Sequence, residues 1–223
     1  MSEKNIEYKR FILSLVPPTI IILVLWMVKI VEVADGLDLF YLGIFPRKVS
    51  GMIGIIASPF IHANFNHLIN NTVPFLFLLT AIFYFYQKVA WRFLLISYLF
   101  TGILVWFVAR PSYHIGASGL VYSFASFLFV SGIIRRNINL LAISLLVIFL
   151  YGSMVWGIFP YRPDMSWESH LIGLTLGSVL AIIYRHEGPM PTKFISDMEE
   201  EEEVEDDENN TDRRVTSLIH CTS

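Results

Sequence analysis

A serine between small residues, Gly116-Ala117-Ser118-Gly119, opens an apolar run that continues through Tyr122. The glycines let another backbone or a substrate come close to the hydroxyl. A serine near a helix N-terminus also has free backbone N–H groups and the positive dipole end beside it, a setting suited to an oxyanion. Further on, His170, Gly173 and Gly177 fall at i, i+3 and i+7, one helix face that can press against a neighbour and hold the imidazole there. A third run, from His62 to Asn71, puts His67 and Asn71 four residues apart and therefore on a shared face. Together these are the parts of acyl transfer: a nucleophile, a general base and donors for a developing oxyanion. Taken singly, each run also fits ordinary packing, because Gly, Ser and hydrogen-bonding side chains are routine between membrane helices. The argument lies in the combination.

The elements that must carry these residues are apolar. Of 223 residues, 55% are hydrophobic and only 16% charged, with a mean hydropathy of +0.59, which is too apolar for a soluble domain of this length. A bilayer core about 30 Å thick needs about 20 apolar residues per helical span. Six stretches qualify, near 11–31, 63–86, 91–109, 117–134, 138–159 and 168–185. The expected fold is therefore an all-α, polytopic membrane protein with six transmembrane helices, its consecutive spans antiparallel because most connections are short. The longest connection, 32–58, leads into GMIGIIASPF (51–60), too short to cross and read as interfacial. The charged opening MSEKNIEYKR precedes a long apolar run without a small-residue cleavage signature, which reads as a retained span.

Charge is divided along the chain. Residues 1–196 carry 14 Lys+Arg against 8 Asp+Glu, whereas 197–223 carry 2 against 11. The expected organisation is a short N-terminus (1–10), a membrane domain (11–190) and an acidic, disordered tail (191–223) whose like charges repel. Lys and Arg on the side holding both termini outnumber those opposite by nine to five, which puts both termini in the cytoplasm. A single cysteine, Cys221, leaves no intrachain disulfide and no zinc-thiolate cluster.

The three motifs, in order and on the second, fourth and sixth spans, resemble the rhomboid family. Its pattern is His-x4-His-x3-Asn, Gly-x-Ser-Gly and His-x2-Gly-x3-Gly, matched here by His62, His67 and Asn71, by Gly116, Ser118 and Gly119, and by His170, Gly173 and Gly177. The resemblance implies a six-helix bundle and an intramembrane serine protease without cofactor. Ser118 would be the nucleophile and His170 the general base of a dyad, with Tyr122 stacked on the imidazole. His67, Asn71 and the Ser118 backbone N–H would form the oxyanion hole, and His62 would support the loop at the mouth. The implied partners are transmembrane segments of other proteins, within membrane lipid and without nucleic acid. Many family members carry a Trp-Arg pair in the first long loop, and 32–58 contains no tryptophan.

Three other readings are open. One is an inactive relative that binds membrane clients, although such relatives usually lack the serine or the histidine. The second is a metal-dependent membrane protein or transporter using His62, His67 and His170 as nitrogen ligands, although no acidic residue joins them within the spans. The third takes the glycines and histidines as packing in a transporter bundle, although no charged substrate path or broken-helix pair supports it. Glu168 reads as a solvated carboxylate at the wet edge of the sixth span, and His114 has no assignment.

Overall fold

A computed structural model of the chain describes residues 3–151, 157–160 and 165–192. Among these the structure is helical apart from an isolated bridge between Ile44 and His114. The α-helices are α1 (Glu3–Ala34), α2 (Gly54–Ala57), α3 (Phe65–Phe85), α4 (Ala90–Val108), α5 (Ser118–Ile134), α6 (Ile138–Leu150) and α7 (Trp167–Ile183). Three of them, α1, α3 and α4, are long and apolar enough to cross a membrane, while α5, α6 and α7 are apolar and shorter.

The ends of α3, α4, α5 and α7 lie within two residues of the expected stretches. The first helix does not. It begins at Glu3, well before the expected residue 11, because its charged opening grips the far end of α3. Arg10 donates to the Tyr84 carbonyl through Nε (2.9 Å) and Nη2 (2.6 Å) and lies 4.7 Å above the Tyr84 ring, while the Tyr84 hydroxyl bonds Glu7. Trp26 Nε1 donates to Thr72 Oγ1 at 3.1 Å further along, so α1 and α3 run antiparallel. The fifth expected stretch, 138–159, is described only in part: α6 ends at Leu150, residues 152–156 lie outside the described residues, and 157–160, with Gly157 and Pro160, form a turn. Nearly all of the expected acidic tail, from 193 onward, lies outside the described residues.

Between α1 and α3 the chain makes 3-10 turns at Phe40–Leu42, Val49–Ile53 and Ser58–Phe60 around α2. Val49, Met52, Ile53 and Ile56 turn their side chains outward. The loop is fastened to its neighbours by backbone bonds, Ile44 N–H to His114 O (3.0 Å) and His114 N–H to Ile44 O (2.9 Å). Arg47 N–H donates to the Trp106 carbonyl (3.1 Å), and Trp106 Nε1 donates to Lys48 O (2.9 Å). The tryptophan beside Arg47 thus comes from α4 and not from the loop itself.

Helix α5 runs through the middle of the bundle. Phe124 and Phe127 pack with Phe75 of α3 and Phe93 of α4, ring centroids 4.2–5.8 Å apart. On its other side α7 approaches to backbone contact. A Cβ at Gly173 would overlap the Gly119 carbonyl oxygen, and one at Gly177 would overlap that of Ser123. Only hydrogen at these positions lets the two helices meet so closely, and this contact brings the N-terminal turns of α5 and α7 side by side.

Candidate active site

Ser118 is the first residue of α5, where backbone N–H groups have no carbonyl one turn back to bond. His170 sits in the first turn of α7. Their facing atoms, His170 Nε2 and Ser118 Oγ, are 2.7 Å apart. The other ring nitrogen, Nδ1, lies 2.8 Å from the Gly157 carbonyl oxygen. A carbonyl only accepts, so Nδ1 carries the proton of the neutral ring and Nε2 offers its lone pair to the serine hydroxyl. Tyr122, one turn after Ser118, stacks on the imidazole with centroids 4.3 Å apart and planes 11° from parallel. His170 and Tyr122 are each only 7% exposed.

These groups face a cleft of about 640 Å³, whose walls include His67, Asn71, Ser118, Tyr122 and His170. Asn64 caps α3 by accepting the His67 N–H at 2.8 Å, and the Asn71 side-chain amide donates to the His67 carbonyl at 3.0 Å, leaving it one further N–H. Gly116 adopts a φ of +101°, and a Cβ there would lie 2.8 Å from Cε1 and Nε2 of His67. The glycine both permits the left-handed turn into α5 and lets the His67 ring lie against the serine-bearing loop. Gly119 is buried where α5 meets Ser169 of α7.

His62 lies behind this wall, 1% exposed, its ring edge-on to His67 at 5.0 Å and both nitrogens without a hydrogen-bond partner among the described residues. Burial pushes its pKa down to about 3, helped by the neighbouring His67 and Lys29 charges, so the ring is neutral. Among the described residues no three His, Cys, Asp or Glu side chains converge as metal ligands do.

The surroundings include groups that sequence reasoning missed or misread. Glu168 is not solvated: it is 7% exposed and its Oε1 lies 3.4 Å from Arg110 Nε. Arg110 also donates through Nη2 to the Met165 carbonyl at 2.7 Å. His114, 2% exposed, places Nε2 3.1 Å from the Arg110 carbonyl and Nδ1 2.5 Å from Ser166 Oγ, which is 2.6 Å from Ser169 Oγ. Burial holds the His114 pKa below its ordinary value. This polar band joins the α4–α5 loop, which delivers Ser118, to the start of α7, which delivers His170. Oppositely charged residues at the ends of two apolar stretches, Arg110 and Glu168, were the available signal. Gly157 gave none, since its contribution is a main-chain carbonyl.

A model of the Rhomboid domain matches residues 49–187, well over half of the chain and all of the site residues. The chain belongs to the rhomboid family. Uncharacterised proteins of Mycobacterium tuberculosis and Mycobacterium bovis are each 33% identical to it over 171 residues, covering 71% of this chain and 70% of theirs. An uncharacterised protein of Mycobacterium leprae is 31% identical over 207 residues, covering 82% and 80%. This rhomboid is accordingly a polytopic helical membrane protein, its family one of intramembrane serine proteases generally. The matched stretch starts at Val49, so α1 stands outside it.

Proposed function

We propose that the protein is an intramembrane serine endopeptidase that hydrolyses peptide bonds in or near the transmembrane segments of other membrane proteins through a Ser118–His170 dyad. The observation that carries this reading is the 2.7 Å approach of His170 Nε2 to Ser118 Oγ at the wall of a cleft large enough for an extended peptide. His170 takes the serine proton as Oγ attacks the scissile carbonyl, then gives it to the leaving amine. The resulting acyl-enzyme is hydrolysed by water that the cleft admits, with His170 again the base. The Gly157 carbonyl, accepting from Nδ1, does the orienting that an acid does in a triad and favours the imidazolium as it forms. The developing oxyanion is met by the Ser118 N–H, the Asn71 amide and the His67 ring, each typically contributing about 10²–10³ in rate where such donors have been removed.

In this reading six helices cross the bilayer with both termini in the cytoplasm, and the cleft opens toward the opposite side. Residues 11–190 form the protease domain, followed by the acidic cytoplasmic tail. His62 supports the mouth without touching substrate.

The test is cleavage of a single-pass substrate with small residues near the outer end of its span, in liposomes. Wild type, Ser118→Ala and His170→Ala are compared with and without a chelator. Cleavage by wild type alone, indifferent to the chelator, is the expected result. Mutants as active as wild type, or a wild type inert on every substrate, would favour a client-binding role.

A further inference from the structure

Lys29 belongs to α1, outside the stretch matched to the family, and is only 5% exposed. A charged side chain within a spanning helix is costly and calls for partners. Its ammonium group finds three: Glu32 Oε2 at 2.9 Å, the His62 carbonyl at 2.8 Å and the Ala63 carbonyl at 3.4 Å. Glu32 is itself largely buried, with its side chain 12% exposed. The pair therefore does not serve solubility.

The two carbonyls lie in the segment leading into α3, and that segment holds His67 in three ways. Asn64 Oδ1 accepts the His67 N–H, the His62 ring packs edge-on against the His67 ring, and the Ala63 N–H points at His67 Nδ1 from 3.5 Å. A nitrogen that accepts carries no proton, so the neutral ring has its proton on Nε2. Nε2 is the atom packed beside Gly116, two residues before the serine.

We propose that Lys29, balanced by Glu32, is a positioning residue for His67: it clamps the 62–63 carbonyls so that His67 keeps an Nε2–H donor turned toward the cleft. The clamp makes the first helix part of the site's second layer, reaching the oxyanion side without touching substrate. Its catalytic consequence rests on the protease reading, whereas its effect on the His67 tautomer does not.

The experiment uses the full chain in detergent with 15N-labelled histidine, the His67 signals being assigned with His67→Gln. Wild type is compared with K29M/E32Q, which removes both charges so that neither is stranded, with Lys29→Arg and with Glu32→Gln. In wild type, Lys29→Arg and Glu32→Gln the His67 ring shows the Nε2–H tautomer. In K29M/E32Q it becomes a mixture, and kcat falls about tenfold while KM stays within about twofold, the pattern of a weakened transition-state donor. If K29M/E32Q does not fold, K29Q/E32Q, which keeps an amide donor at the carbonyls and strands no charge, is read in its place; part of the His67 population is expected to leave the Nε2–H tautomer, and His67 signals identical to those of wild type overturn the proposal. Unchanged His67 signals in K29M/E32Q overturn the proposal whatever happens to activity, as does a changed tautomer in Glu32→Gln, which would assign the effect to charge. A wild type inert on all substrates sinks the protease reading and leaves the tautomer comparison to decide this one.

Discussion

The Gly157 carbonyl oxygen accepts a hydrogen bond from Nδ1 of His170 at 2.8 Å, at the ring nitrogen that does not face Ser118. Gly157 is buried, and a Cβ on it would overlap the Tyr122 hydroxyl and lie 3.0 Å from His170 Nδ1. The absence of a side chain here is what lets Tyr122 stack on His170 while a main-chain acceptor fixes its tautomer.

Gly157→Ala is therefore expected to tilt the imidazole and lower kcat by about 10²-fold, the usual cost of misplacing a reacting group by about 1 Å. Tyr122→Phe in the same chain removes the hydroxyl that the new methyl meets first and should restore part of the loss. Cleavage rates of the two single variants and the double variant check this. A double variant no better than Gly157→Ala would show that the tyrosine hydroxyl is not the obstacle.

Gly173→Ala tests the helix contact beneath the dyad. The methyl would overlap the Gly119 carbonyl and crowd the Ser123 backbone nitrogen at 3.3 Å, both main-chain groups of α5, so α5 and α7 must separate. Overpacking of this kind costs about 1–3 kcal/mol. The expected outcome is a lower unfolding temperature in detergent together with slower labelling of Ser118 by a fluorophosphonate. Gly173→Ala matching wild type in both would mean the helices can part without cost.

The features legible in the sequence were those with a periodic or side-chain signal. Four of the apolar helices fell near their expected ends, and His67 with Asn71, and His170 with its glycines, fell on the faces that the spacing implied. The helix runs eight residues further toward the N-terminus than the apolar stretch at 11–31, because Arg10 and Glu7 continue it to reach Tyr84, a long-range contact with no periodic signal. Lys29, inside the first expected span, was one of the five cations counted on the side opposite the termini, and its i, i+3 spacing to Glu32 at the span end already matched an internal ion pair. Glu168 was misplaced because its partner, Arg110, is 58 residues away in sequence. Gly157 was illegible because a carbonyl acceptor is common to every residue type.

Arg110→Ala probes the polar band across the cleft's rim. It removes the guanidinium from the Glu168 carboxylate, leaving Oε1 only the long 3.4 Å bond from the residue-110 backbone N–H, while Oε2 already has no hydrogen-bond partner among the described residues. A buried acceptor left unsatisfied costs about 1–3 kcal/mol, more when charged. Stability should fall accordingly, and Arg110→Ala combined with Glu168→Gln should recover much of it, because no unpaired charge then remains. Thermal unfolding of Arg110→Ala, Glu168→Gln and the double variant beside wild type gives the coupling, and additive losses would show that the two side chains act independently.

Acid should destabilise the protein partly through His62. Folded, its pKa is about 3, pushed down by burial, then by His67 and Lys29; unfolded, it returns to about 6.5. Between these values the unfolded chain binds a proton that the folded one refuses. Stability at this site is therefore complete above about pH 6.5, declines as pH falls through the window toward 3, and changes no further below it. The slope for one such site approaches about 1.4 kcal/mol per pH unit. His114, also buried with a lowered pKa, acts in the same direction, so wild type carries both contributions. His62→Phe removes one of them while keeping an aromatic ring against His67. Its unfolding temperature, followed in detergent from about pH 7 to about pH 4, should start lower if the phenyl ring fits less well, but should fall less steeply than that of wild type. Parallel curves for the two proteins would mean that His62 binds its proton equally in both states, and with that the neutral, buried imidazole behind His67 would have to be abandoned.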